Sequence, residues 1–376
     1  MRSVCFRWAL AAVFLPICPC LAAKDFYFSH RDFQLEFRAR LNELQEGDRL
    51  YLPAGHFQFK RGLNLVGKDI AVLGAGADKT ILDFTNQQQG AQGISARGYS
   101  LVLGDFTVLN AHGDGLVLRD SADVTVQNIK VAWADTKDSA KGGYGIYPVD
   151  SQNVQVLNCE ARGAIEAGIY VGQSKHALVK GNRVTNNAVG IEIENSDDIV
   201  VADNKIQNNS IGLLVTAIPN LQNKETRRVD VERNTIKGNN KFNDSPAGSL
   251  AAKLQAGSGL VIVAADTVSV HSNDIYAHHY ADVVVRSYVD IRSDVSDSYY
   301  NPYNHAIALA ANRWGDKIKS SQSPAKIYWD GVVEKDLAGD LRDDKAPTLC
   351  IDEEAPVLLQ KKGGKPQEIT IRTCFP

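Results

Sequence analysis

The sequence predicts an all-β protein, a single-stranded right-handed parallel β-helix of about nine to eleven coils. Three observations carry that expectation. Glycine-led apolar segments recur every 22 to 23 residues. A column of asparagines keeps step with them. Within each segment the apolar side chains alternate, as a strand with one face turned inward requires.

The first element is residues 1–23, read as an export signal. Arg2 and Arg7 flank an apolar run from Trp8 to Leu15, and Leu21-Ala22-Ala23 offers a small-residue cleavage site before Lys24. The chain is therefore expected in the periplasm or outside the cell. A lipoprotein is disfavoured, because Ile17 and Pro19, which precede Cys18 and Cys20, are not the small residues that acylation uses. No later stretch reaches about 18 uninterrupted apolar residues, so no transmembrane segment is expected. Residues 24–47 form an N-terminal cap: Phe33, Phe37, Leu41 and Leu44 have helical spacing and would close the open first coil.

Residues 48–315 are the β-helix. Gly115-Leu-Val-Leu-Arg119, Gly145-Ile-Tyr-Pro-Val149, Gly168-Ile-Tyr-Val-Gly172, Gly190-Ile-Glu-Ile-Glu194, Gly212-Leu-Leu-Val-Thr216 and Gly259-Leu-Val-Ile-Val263 align without strain. From Gly145 to Gly212 the glycines stand 23, 22 and 22 residues apart, one coil of three short strands. Longer gaps hold insertions at 134–143, 222–228 and 239–257. Ile169 and Val171, Ile191 and Ile193, Leu213 and Val215 point inward and stack at about 4.8 Å. Fourteen residues after five of the glycines stand Ile129, Cys159, Asn182, Asn204 and Asn273, with Asn234 displaced by an insertion. Stacked asparagines can bond the backbone of neighbouring coils, so Asn182, Asn204, Asn234 and Asn273 are a structural ladder. Cys159 shares the column and reads as an inert buried thiol. Residues 316–376 are a charged tail closed by a Cys350–Cys374 disulfide, in keeping with an oxidising compartment.

Composition narrows the function. The net charge is -3, with 23% charged and 44% hydrophobic residues, so no nucleic-acid partner is expected. The segments quoted above resemble the secreted right-handed β-helix proteins of the pectate-lyase-like solenoid. More narrowly, Tyr144-Gly-Ile-Tyr-Pro-Val149, Ala167-Gly-Ile-Tyr-Val-Gly-Gln-Ser174 and Gly190-Ile-Glu-Ile-Glu-Asn-Ser196 are similar to a family of exported bacterial β-helix repeat proteins. Its members are often encoded beside a di-haem c-type cytochrome. The resemblance implies a fold and an exported location, and no reaction.

Candidate chemistry lies on the outward face of the central coils. Tyr147, Tyr170, Glu192 and Glu194, with Gln173 and Asn195 just beyond and Glu166 at the border, contrast with apolar residues on flanking coils. Tyrosines beside carboxylates and amides suit a polysaccharide or oligosaccharide. Glu192 and Glu194 are the candidates for acid/base work, or for Ca²⁺ against an acidic sugar; no other cofactor or metal is expected. The bland alternative is ordinary exposed strand residues. If the protein is an enzyme, the expectation is a polysaccharide lyase, an epimerase or a glycoside hydrolase. Yet Asn-Thr-Asp, Gly-His-Gly and Asp-Pro-His-Asp are all absent, and no arginine falls in the central columns, with Arg162 and Arg183 the nearest. His271, His278, His279 and His305 read as solvated turn residues rather than a metal site, since adjacent histidines on a strand face opposite ways. Asp197-Asp198 and His112 beside Asp114 carry no assignment. The rival function is a non-catalytic accessory protein that docks a periplasmic c-type cytochrome.

Overall fold

A strand whose apolar residues all lie on one side must find cover for that side, and this chain finds it by returning beside itself once per coil. The structure is a computed structural model that describes residues 23–134, 142–293, 295–315, 327–330, 349–352, 357–359 and 367–368. Each central coil contributes three strands, paired in parallel with the coils before and after. Ile169, Ile191, Leu213, Leu260 and Val283 are register partners in series down the glycine-led strands. Val154, Ala177, Ile199, Val229 and Val268 form the second stack. Ala161, Val184, Ile206, Ile236 and Ile275 form the third, in a sheet of ten strands. The three stacks meet in one continuous apolar core.

The helix expected near the start spans Phe33–Leu41 and buries Phe33, Phe37 and Leu41. The Phe33 ring lies 4.3 Å from that of Phe57, so its apolar stripe rests on the first coils. No helix among the described residues is long and apolar enough to cross a membrane. Residues 1–22 of the expected signal lie outside the described residues. Cys350 takes part in a disulfide, while Cys374, its expected partner, also lies outside them. Cys159 is free and buried, and burial pushes its thiol up to about 12.

Buried polar groups at the turns are satisfied by stacking. The Asn204 backbone N–H and Nδ2 both donate to Asn234 Oδ1 at 2.9 Å, and Nδ2 donates also to Val179 O. Its own Oδ1 accepts the same pair of bonds from Asn182. The column runs on through Asn273 to Asn312. A second ladder lies five residues further along the chain: Asn187, Asn209, Asn239 and then His278. His278 is therefore not solvated. It is 3% exposed, with Nδ1 2.8 Å from Asp282 Oδ1 and Nε2 3.2 Å from Asn239 Nδ2. It occupies an asparagine's place, whereas His279 stays exposed. Hydroxyls make a third ladder, in which the N–H groups of Ser151, Ser174 and Ser196 donate to the next coil's Ser174, Ser196 and Thr226.

Candidate functional site

The outer faces of the strands Ile146–Val149, Ala167–Gly172 and Val189–Glu194 carry Tyr147, Tyr170, Glu192 and Glu194. Pairing sets Tyr170 directly beside Glu192, and Glu192 beside Leu214. The sequence places these residues on an open outward surface, and here the structure differs. Tyr170 is 5% exposed, Glu192 4% and Leu214 0%. The cause is three excursions from the coils, residues 217–226, 238–257 and the described residues of 287–304 (287–293 and 295–304), which leave between strands and fold across this face. Leu250, Leu254, Tyr288 and Tyr300 from these excursions pack with Tyr170, Leu214, Val261 and Val284 in a second apolar cluster outside the solenoid.

Between roof and floor lies a cavity of about 330 Å³. Its floor is Tyr144, Glu166, Glu192 and Glu194. Its roof is Ile218 to Asn220, Gly248 to Ala251, Tyr288 and Arg292. Burial removes water from the carboxylates faster than the protein supplies cations, so their proton affinities rise. Burial, then repulsion from Glu194 and Glu166, holds Glu192 well above the usual carboxylate range. Burial raises Glu194 as well, against the bond it accepts from Tyr170. Glu166, at the border, is pushed up to about 7 by burial first, then by Glu194 and Asp114. The tyrosines respond in the same direction: burial and the neighbouring glutamates raise Tyr144 and Tyr170.

Tyr170 O–H donates to Glu194 Oε1 at 2.6 Å. To reach it the ring lies across Gly172, where a Cβ would stand 2.2 Å from the Tyr170 hydroxyl. Glycine in the Tyr-Val-Gly segment is thus required by the tyrosine's path. The rings of Tyr144, Tyr147 and Tyr170 pack with centroids 4.5 to 4.8 Å apart. Tyr147 buttresses this cluster rather than lining the cavity.

Two expected binding residues stand elsewhere. Gln173 and Asn195 occupy the turn after the glycine-led strand, at φ 47° and 44°, a left-handed backbone that amides tolerate better than most side chains. Asn195 is fully buried and clamps the first excursion, donating to Ile218 O and Asn223 O and accepting from Ile218 N–H. Gln173 accepts from Gln222 N–H at 3.1 Å and lines a separate open groove of about 910 Å³ with Tyr99, Asp120, Asp150 and Lys175. Arg292, which belongs to no strand column, reaches the cavity from an excursion. Its guanidinium donates to Gly248 O, and its buried Nε has no hydrogen-bond partner. Arg292 and Tyr288 left no signal in the repeat, since they belong to an insertion. Tyr144 did leave one, as an aromatic before the glycine where neighbouring coils carry Ala167 and Val189.

Among the described residues, Asp230, Glu232 and His271 bring one ligand atom each within 4.8 Å of one another. Arg233 already pairs with Glu232 at 2.6 Å. The three cavity glutamates do not converge so closely.

The right handed beta helix region family matches residues 92–285, more than half of the chain. No curated protein matches the sequence. Among solved structures, the A-module of mannuronan C-5 epimerase AlgE6 from Azotobacter vinelandii is 16% identical, with a TM-score of 0.50, covering 78% of this chain and 89% of that one. DFA-IIIase from Arthrobacter chlorophenolicus A6 is 10% identical, also at 0.50, covering 78% and 76%. Pectate lyase Pel9A is 13% identical at 0.42, covering 76% and 72%. Identities this low speak to the fold.

Proposed function

We propose that this chain, which belongs to the right-handed β-helix family, binds a sugar in the roofed cavity and transfers protons to and from it. The observation that carries the reading is the set of Glu166, Glu192 and Glu194 around one cavity, with Glu166 held at about 7. A carboxyl that keeps its proton beside one that exchanges it near neutrality is suited to general acid and base work. Glu192 then donates a proton to a sugar oxygen. Glu166 accepts one, and Glu194 is oriented by Tyr170. Tyr144 and Tyr288 offer ring faces, and Arg292 supplies the cation. In the A. vinelandii protein this fold hosts an epimerase of mannuronan, which agrees with sugar chemistry here.

The lyase, epimerase and hydrolase alternatives each need a proton taken up and a proton given, which such a carboxyl set can supply. Ca²⁺ would bind Glu192 and Glu194 only when both are ionised, above the range in which burial keeps them protonated. Export to the periplasm or beyond, from the signal read in residues 1–23, would bring the chain to such sugars. Docking of a c-type cytochrome on this face has no observation in its favour, since Tyr170 and Glu192 are enclosed. The test is a panel of neutral and acidic glycans, scored for ligand-induced thermal shift and for new reducing ends, unsaturation or epimerisation. A silent panel with a correctly folded protein removes the reading.

A further inference from the structure

We infer that the cavity is a dead end, which takes a free sugar or the terminal units of a chain and excludes the interior of a polymer. The inference rests on the cavity being a sugar site and adds the form of the ligand. An uncovered β-helix face lets a polymer run across successive coils, because equivalent positions repeat at about 4.8 Å with nothing above them. Here that run stops. Beyond Glu192 the same outward column continues as Leu214, Val261 and Val284, at 0%, 1% and 3% exposure. Leu250, Leu254, Tyr288 and Tyr300 pack on them. A hydrated chain passing that way would displace the cluster or bury hydroxyls without partners.

The obstruction is also fastened to itself. Tyr300 O–H donates to Ala217 O at 2.7 Å. Asp297 accepts from Asn220 N–H at 2.9 Å and pairs with Lys224 Nζ at 2.5 Å. Arg292 donates to Gly248 O. The first three bonds tie the 287–304 excursion to 217–226, and the last ties it to 238–257. The roof is thus braced between its own parts and not merely laid on the coils. What remains beneath it, about 330 Å³, has room for roughly one or two pyranose rings and sits at the lower end of small-molecule sites.

Calorimetry on the full protein would use malto-, cello- and alginate oligomers of one to six units, each with its parent polymer, and α-cyclodextrin as a chain without ends. In any series that binds, the gain in affinity should stop after the second unit, and the polymer should bind once per chain end. The cyclic glucan should bind at least about tenfold more weakly than maltose. Asp297→Ala, which releases the bracing outside the cavity, should let affinity rise beyond two units. Affinity that climbs steadily to six units in the parent protein, or polymer binding per segment rather than per end, overturns the dead end and leaves the sugar reading standing. No binding by any sugar of any length overturns both.

Discussion

Two sets of polar side chains sit on neighbouring coils, a buried column at a turn of the solenoid and a cluster of acids beneath the roof, and they are built on opposite terms. Asn182, Asn204, Asn234 and Asn273 are neutral, and each amide is both donor and acceptor to the next. Every additional coil satisfies the one before. Glu166, Glu192 and Glu194 are acids: Glu194 raises the proton affinity of Glu166 and of Glu192, and Glu166 raises that of Glu192. A roof arginine is the cation that lines their cavity. A column that stacks to lower its own energy needs no further explanation. A group that gathers carboxyls around one cavity is costly, and that cost fits a role in chemistry.

Substitutions in the asparagine column and in the acid cluster should therefore fail in different assays. The largest effect expected is on turnover. Once a substrate is known, Glu166→Gln should slow it by about 10²- to 10⁴-fold, with the fold intact by circular dichroism. Retention of full activity would make Glu166 a mere bystander. Tyr170 joins the two worlds, since it is packed like a core residue and bonded like a site residue. Tyr170→Ala should cost about 3 to 5 kcal/mol in a denaturant titration, whereas Tyr170→Phe should keep most of the stability and lose the hold on Glu194. Equal losses in the two variants would mean that the hydroxyl, and not the ring, is the structural part.

Asn204→Ala comes next, at about 1 to 3 kcal/mol, because the N–H and Nδ2 of Asn182 lose their acceptor inside the protein. Affinity for any cavity ligand should not change. A ladder variant that melted like the parent would show that the column is filled by water instead.

The fold was readable because it repeats. Glycine spacing, inward alternation and the asparagine column are each local patterns, and the parallel coil follows from any two of them. The second ladder was equally present, five residues after the first, at Asn187, Asn209 and Asn239. The glutamates and tyrosines were also legible, as a contrast with the apolar residues on neighbouring coils. Their enclosure was not. Insertion 239–257 is visible as a broken interval, but an interval does not say which face the inserted residues will cover. That depends on Leu250 and Leu254 finding Leu214 and Val261, contacts between residues far apart in the chain. Gln173 and Asn195 were misplaced for a related reason. Their residue types suit a sugar site and suit a left-handed turn equally well, and only the backbone separates the two.

The smallest effect is also the cleanest separation of the asparagine column from the acid cluster, because it needs no ligand. The asparagines do not titrate, so the ladder contributes the same stability at every pH. Glu166 does titrate, and its folded value of about 7 lies above the ordinary value of 4.5. A proton held more tightly in the folded state stabilises the fold fully below the unfolded value, and that contribution is lost as pH rises through the folded one. The parent should therefore lose stability between about pH 4.5 and pH 7.5, and Glu166→Gln, which cannot ionise, should lose less over the same window. Partial exposure screens the charge, so the difference should be about 1 kcal/mol and not the full linkage value. Melting curves for the parent, Glu166→Gln and Asn204→Ala across pH 4 to 8 would show it. The Gln variant should gain on the parent as pH rises, while the Ala variant stays a constant distance below. Parallel curves for all three would mean that Glu166 is solvated in the folded protein, and the cavity would then lose its one group poised to exchange a proton near neutrality.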